Sequence, residues 1–245
     1  MRRVIIVQAR MTSTRLPGKV LMDVAGRPML AQQLRRLKQC TRIDDIVVAT
    51  TTNITDDPVV ELAHGEKVGC FRGNERDVLA RYVGAARYAK AEIVIRVTAD
   101  CPLIDPQVTD RVIAELTEHA TECDYASNVL CRTYPRGLDV EAFFWDTLLR
   151  MDRVARSDAA REHVTIVFRS ERPELCLCRS VEDTENNADL RWTVDAAGDL
   201  QFVRQLYVAL DLSTRTAPYP EILGYVRSHT ELARRDENGT WDPSH

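Results

Sequence analysis

Short runs rich in β-branched residues alternate with stretches of helical period through the first half of this chain. Val4-Ile5-Ile6-Val7, Ile46-Val47-Val48-Ala49-Thr50, Val68-Gly69-Cys70-Phe71 and Ile93-Val94-Ile95-Arg96-Val97 read as buried strands. After Pro28 come Leu30, Leu34 and Leu37 at helical spacing, and residues 57–64 form a short second helix. Asn74 stands where it can cap a helix bearing Val78, Leu79, Tyr82, Val83 and Ala86. Asp105-Pro106 opens a further helix carrying Val108, Val112, Ile113 and Leu116. Strand and helix in alternation predict an α/β fold of three layers, with a mostly parallel sheet and right-handed crossovers.

The second half is less regular. Strands are expected near 123–128, 138–144, 175–181 and 190–194, and helices near 144–152, 158–169, 197–210 and 218–228. No linker separates two units. Residues 1–228 are read as one domain, with 129–189 an inserted smaller lobe and 229–245 a polar tail that can fray.

Between the first strand and the first helix lies Gln-Ala-Arg-Met-Thr-Ser-Thr-Arg-Leu-Pro-Gly-Lys-Val-Leu, residues 8–21. Pro17-Gly18 forces a turn, and Gly18 lets the backbone approach a neighbour closely. The loop carries Arg10, Arg15 and Lys19 among small hydroxyl residues. Cations alone describe a solvated surface loop. A loop leaving the carboxyl end of the first strand of an α/β sheet is a ligand position, and three cations with free amides suit a triphosphate.

Bulk properties narrow the partners. The 245 residues suffice for a full core, and a net charge of −4 argues against a binder of nucleic-acid backbone. The N-terminal apolar run is too short for a signal peptide, and no run spans a membrane, so a cytoplasmic location is expected. Seven cysteines without a CxxC pair or an accompanying His cluster read as reduced, mostly buried thiols rather than a zinc site. Alternation on a strand would put Cys176 and Cys178 on one face.

Two further positions carry chemistry. Asp100 closes the fourth strand, where the sheet's carboxyl edge faces the first loop. Asp195 follows Arg191-Trp192-Thr193-Val194, with Asp199 placed at the start of the next helix, where its charge suits the dipole. A lone Asp at a strand end is also commonly structural or solvated. The chain holds no Gly-x-Gly-x-x-Gly, no Walker A sequence and no Asp-x-Asp triplet.

Ala9-Arg10, Ser13 to Lys19 and Gly26-Arg27-Pro28-Met29 together resemble the signature of the cytidylyltransferases that make CMP-activated sugar acids. That group includes CMP-Kdo synthetase, acylneuraminate cytidylyltransferase and the spore coat polysaccharide biosynthesis protein F group. The runs Gly73–Tyr82, Tyr134–Glu141 and Arg161–Thr165 resemble the spore coat group in particular, and the resemblance covers most of residues 3–227.

What the resemblance implies is a Rossmann-like nucleotide-diphospho-sugar transferase fold and Mg²⁺-dependent transfer of CMP from CTP to a hydroxyl of an acidic sugar. It implies nucleotide contacts from Ala9, Arg10, Ser13, Arg15, Lys19, Arg72, Asn74 and Asp77. Catalysis would fall to Arg10, Arg15, Lys19 and Asp100, with Mg²⁺ on Asp100 and Asp195. Arg136, Asp139, Glu141, Glu162 and His163 would serve the acceptor, Arg136 by pairing bidentately with a carboxylate. An Arg136–Asp139 turn contact and a structural His163 are the bland alternatives. A homodimer is implied, with Phe143, Phe144 and Trp145 as candidate apolar contacts. Cys101 stands where CMP-Kdo synthetases carry an acid, which favours an acceptor other than Kdo. A sugar-1-phosphate nucleotidyltransferase normally has a glycine-rich opening loop, and a glycosyltransferase of this fold commonly has Asp-x-Asp; neither feature is present.

Overall fold

β-Branched side chains pack well on a sheet covered on both faces, and the apolar runs become its central strands. The computed structural model describes residues 1–229 and 232, so nearly all of the expected tail lies outside the described residues. β1 (Arg3–Gln8) leads through a 3₁₀ turn (Lys19–Leu21) to a small hairpin, β2 (Asp23–Val24) and β3 (Arg27–Pro28). Next come α1 (Met29–Leu37), β4 (Asp45–Thr51), a 3₁₀ turn (Ile54–Asp56), α2 (Asp57–Gly65) and β5 (Gly69–Gly73). α3 (Val78–Tyr88), β6 (Ile93–Thr98), α4 (Pro106–Glu118), β7 (Tyr125–Ser127) and β8 (Glu141–Phe144) follow. The chain continues as α5 (Trp145–Val154), α6 (Asp158–His163), a π-helical turn (Val167–Glu171) and a 3₁₀ turn (Pro173–Leu175). β9 (Cys178–Ser180), α7 (Ala197–Ala209) and α8 (Tyr219–Ser228) complete it.

The sheet has seven strands in the order β5-β4-β1-β6-β8-β7-β9. β5, β4, β1 and β6 run parallel, β8 is antiparallel to β6 and β7, and β9 is parallel to β7. Alternate residues of β1 enter opposite layers. Ile5 and Val7 pack with Leu30, Leu34, Val112 and Ile113, while Val4 and Ile6 pack with Leu79, Tyr82, Val83 and Ala86. The three-layer, mostly parallel expectation is borne out. A third cluster joins α7 and α8 to Tyr134, Leu138, Trp192 and Val194.

Segment 129–189 supplies β8 and β9 to the main sheet. Four local expectations need correction. Residues 190–194 form no strand, because their hydrogen bonds go to two loops: Trp192 N to Arg136 O at 2.6 Å, and Val194 N to Asp100 O at 2.8 Å. Arg191 makes an isolated parallel bridge with Arg136. The helix expected over 158–169 stops at Val164, a buried β-branched residue held at φ 57°, and resumes as the π-helical turn. Cys176 is buried and Cys178 exposed, because only the latter lies within β9. Phe143 is fully buried, while Phe144 and Trp145 pack against the two core layers, so these aromatics serve the core.

Candidate active site

Loop 8–19 is fixed from below by a carboxylate that the sequence pattern did not single out. Asp56, fully buried, accepts hydrogen bonds from Met11 N (2.8 Å), Thr50 Oγ1 (2.8 Å), Thr51 N (3.0 Å) and Thr51 Oγ1 (2.6 Å). Burial opposes its ionisation, yet the donors from Thr51, Met11 and Thr50 outweigh that and hold its pKa below the ordinary carboxylate value. At the loop's far end Gly18 takes φ 73° and donates its N–H to Met11 O at 2.8 Å. The chain then tightens into the 3₁₀ turn that aims Lys19 inward.

Lys19 is buried, and its ammonium meets three acceptors: Val194 O at 2.7 Å, Asp195 Oδ1 at 2.9 Å and Asp100 Oδ2 at 3.3 Å. Two carboxylates from distant segments thus converge on one cation. Arg15 reaches Asp195 Oδ1 at 2.9 Å, and Arg191 pairs with Asp195 Oδ2. Burial raises the pKa of Asp195, but Lys19, Arg15 and Arg191 together carry it below the ordinary value. Asp199 accepts from Asp195 N (2.8 Å) and Ala196 N (2.7 Å), the role expected of a carboxylate at a helix start. Asp100 takes a 2.5 Å hydrogen bond from Thr98 Oγ1. Burial and adjacent Asp100 push the Cys101 thiol well up, so this side chain is neutral.

Arg15, Lys19, Asp100 and Asp195 line one open cavity of about 220 Å³, together with Gln8, Ala9, Arg10 and Ser13 among others. Arg10 also borders a second cavity of about 440 Å³ with Glu75, Arg76, Asp77, Asp158, Arg161 and Glu162. Glu75 ties this rim together: it accepts from Thr12 Oγ1 at 2.5 Å and Asn53 Nδ2 at 2.7 Å, and it lies 3.8 Å from Arg10. Arg72 faces Thr51 O, Asn53 O and Asp57, whose carboxylate is 2.6 Å away. Asp77, not Asn74, caps α3: it accepts from Ala80 N at 2.9 Å and binds Arg161 through both oxygens, at 2.9 and 2.7 Å. Asn74 Oδ1 instead accepts from Arg76 N and Asp77 N, which shapes the turn before the helix.

The acceptor candidates do not gather in one place. Arg136 lies beside Arg191 across the isolated bridge, and Gly137 makes that approach possible. It has φ 105°, and a Cβ there would meet the backbone of Trp192 and Thr193 at 2.7 Å. Burial, with like charge from Arg132 and Arg191, lowers the Arg136 pKa. Asp139 is held bidentately by Arg132 at 2.6 and 2.8 Å. Glu162 lines the larger cavity, and His163 is exposed at the end of α6. Glu141 requires correction, because it lies in the core and not at an acceptor surface. It pairs with Arg96 across β6 and β8 and accepts from Tyr125 Oη and Thr165 Oγ1, each at 2.6 Å. Among the described residues no group of three or more His, Cys, Asp or Glu side chains forms a metal-binding cluster. No described helix is long and apolar enough to cross a membrane.

Asp56, Glu75 and Arg161 are additions to the set legible in the sequence. Each acts through a partner 45 or more residues away. A signal was present for Glu75, inside the Gly73–Tyr82 run, and for Arg161, at the head of the Arg161–Thr165 run, but none for Asp56.

A sequence profile described as cytidylyltransferase matches residues 4–206. The spore coat polysaccharide biosynthesis protein SpsF of Bacillus subtilis is 34% identical over 211 residues, covering 82% of this chain and 85% of that protein. The 3-deoxy-manno-octulosonate cytidylyltransferase of Geobacter sulfurreducens is 34% identical over 116 residues, 46% of this chain and 45% of its own length. Among solved structures, a cytidylyltransferase from Leptospira borgpetersenii superposes with a TM-score of 0.90 at 28% identity, covering 96% of this chain and 98% of that one.

Proposed function

The chain belongs to the cytidylyltransferase family, and on that premise we propose that it transfers CMP from CTP to a hydroxyl of an acidic sugar or similar small acid, releasing pyrophosphate. The observation that carries this reading is the meeting of Arg15, Lys19, Asp100 and Asp195 in one open cavity at the carboxyl edge of the sheet.

The acceptor hydroxyl oxygen forms a bond to the α-phosphorus, the bridging bond to the β-phosphate breaks, and the hydroxyl proton passes to water in the open cavity. Negative charge grows on the departing pyrophosphate. Arg15 and Lys19, with Arg10 at the cavity's other edge, are placed to meet the β- and γ-phosphates as fixed cations. Ala9 and Ser13 line the same cavity; Asp77 lines the larger one, where the nucleoside portion would lie, and Arg72 and Asn74 shape the strand end and turn that lead to it.

The donor set fits Mg²⁺. Asp100 and Asp195 already turn oxygens to a single cationic centre, the Lys19 ammonium, and Mg²⁺ prefers few carboxylates with water and phosphate filling its shell. Bound there, Mg²⁺ supplies charge neutralisation at the α-phosphate and acidifies the acceptor hydroxyl. Arg136, with Arg132 and Asp139 near it, would receive the acceptor's carboxylate, while Glu162 and His163 lie apart from it on the side of the larger cavity. A homodimer in the cytoplasm completes the reading and rests on the family resemblance.

Pyrophosphate release, measured with each of four nucleoside triphosphates against a panel of sugar acids and their neutral analogues, tests it. Turnover with CTP and an acidic acceptor is expected. Equal rates with all four nucleotides, or with neutral sugars, would overturn the specificity claimed here.

A further inference from the structure

α1 carries an apolar stripe of Leu30, Leu34 and Leu37, and among these residues two glutamines are also fully buried. Gln33 Nε2 donates to Thr98 O at 2.7 Å and to Cys101 O at 3.1 Å. Both partners are carbonyl oxygens, so the nitrogen end of the amide must face them. The same amide's Oε1 is buried with no hydrogen-bond partner among the described residues.

The two carbonyls bracket Ala99-Asp100. Ala99 N is held by Gln8 O at 3.1 Å, and Asp100 O accepts from Val194 N at 2.8 Å. The backbone on both sides of Asp100 is therefore tied down, and Gln33 is the side chain that reaches across from α1 to do so. A buried acceptor left unsatisfied is destabilising, and an apolar side chain would suit this position on the helix. Gln32 has the same unpartnered oxygen among the described residues, so what singles out Gln33 is that its two acceptors lie on either side of Asp100, which lines the cavity.

We infer that Gln33 is a positioning residue for Asp100: it fixes the 98–101 turn so that the Asp100 carboxylate faces the Lys19–Asp195 cluster. The inference rests on the reading of Asp100 as a catalytic carboxylate. A side chain held within a fraction of an ångström is what a phosphoryl-transfer site requires, and misplacement by about 1 Å can cost about 100-fold in rate.

Gln33→Met removes both donors while keeping volume. Gln32→Met makes the same change at the neighbouring position, where the amide binds Val24 O at 2.8 Å, away from Asp100. Turnover and CTP KM would be measured for both variants and for Asp100→Asn. The Mg²⁺ concentration giving half of the CTP-dependent thermal stabilisation would be measured alongside. Gln33→Met is expected to stay folded, with the melting temperature of the ligand-free protein lowered no more than in Gln32→Met, which also strands a carbonyl. Its kcat should fall about 10- to 100-fold, with CTP KM nearly unchanged, and its Mg²⁺ midpoint should rise several-fold. Gln32→Met should show neither effect.

If Asp100→Asn is inactive while Gln33→Met matches wild type or behaves like Gln32→Met, the positioning role is wrong and the catalytic reading of Asp100 survives. Normal turnover in Asp100→Asn would remove both. Should Gln33→Met fail to fold, Gln33→Leu is measured in the same way. Failure of that variant too would assign Gln33 to core stability and overturn the inference.

Discussion

Single side chains decide the charge balance of this site. Lys19 is shared by Asp100 and Asp195, so Lys19→Gln removes the cation proposed to meet the phosphates and leaves two carboxylates facing each other. Its expected cost in kcat is about 10²–10³, read by pyrophosphate release at saturating CTP; a loss below threefold would contradict the assignment. Arg136→Lys keeps the charge but loses the planar fork. Acceptor KM should rise while CTP KM holds, and an unchanged acceptor KM would return Arg136 to its backbone role beside Arg191. Asp56 and Asp195 both have pKa values held below the ordinary 3.8, so each adds stability above the unfolded-state pKa and loses it as pH falls through the folded value. Unfolding free energy from urea titrations should therefore be level above about pH 5 and decline below about pH 4. Asp56→Asn should flatten that decline, and parallel curves for the two proteins would show that Asp56 does not contribute through its charge.

At the scale of elements, two ion pairs connect pieces of structure distant in sequence. Asp77 caps α3 and grips Arg161 on α6, and Arg161 also reaches Asp152 on α5 at 2.7 Å. Asp77→Ala should cost about 0.5–2 kcal/mol through the lost cap and loosen α6, with its Glu162, from the wall of the larger cavity. Hydrogen exchange of α6 amides, rising faster than that of α4, is the expected sign. The Arg96–Glu141 pair bridges β6 and β8, where the parallel half of the sheet meets its antiparallel neighbour. Removing one partner of a buried pair strands the other, so Glu141→Ala should destabilise by about 3–5 kcal/mol. Asp139→Ala breaks a more exposed pair, and its effect on unfolding should be well under that. Comparable losses for the two would mean that Glu141 is not the core residue described.

For the molecule as a whole, the parallel strands bring the ends of β1, β4, β5 and β6 to one edge, and the nucleotide reading predicts stabilisation focused there. With Mg²⁺, CTP should raise the melting temperature more than ATP, GTP or UTP at equal concentration; equal shifts would remove the CTP preference. The dimer proposal draws no support from Phe143, Phe144 or Trp145, which belong to the core. Sedimentation should nonetheless give a species heavier than one 27.8 kDa chain at micromolar concentration, and a purely monomeric species would end that proposal.

The strands β1, β4, β5 and β6 and the helices between them were legible in the sequence, because β-branched runs and helical spacing are local signals that parallel packing reinforces. The cationic loop with Pro17-Gly18 was legible for the same reason: turn chemistry and charge are written in adjacent residues. Contacts between distant segments were not. Asp139 and Glu141 stand two residues apart and look equivalent, yet one is held by Arg132 at a loop and the other by Arg96 inside the sheet. Residues 190–194 have strand composition but spend their hydrogen bonds on two loops. Gln33 meets carbonyls 65 and 68 positions away, and Asp56, though bonded to nearby Thr50 and Thr51, reaches the first loop through Met11, 45 positions away, so no local pattern marks either role. The sequence by itself determined the order of the elements and the chemistry of the first loop. Only tertiary packing decided which charges meet, because pairing energy depends on distance and burial, and neither is carried by spacing along the chain.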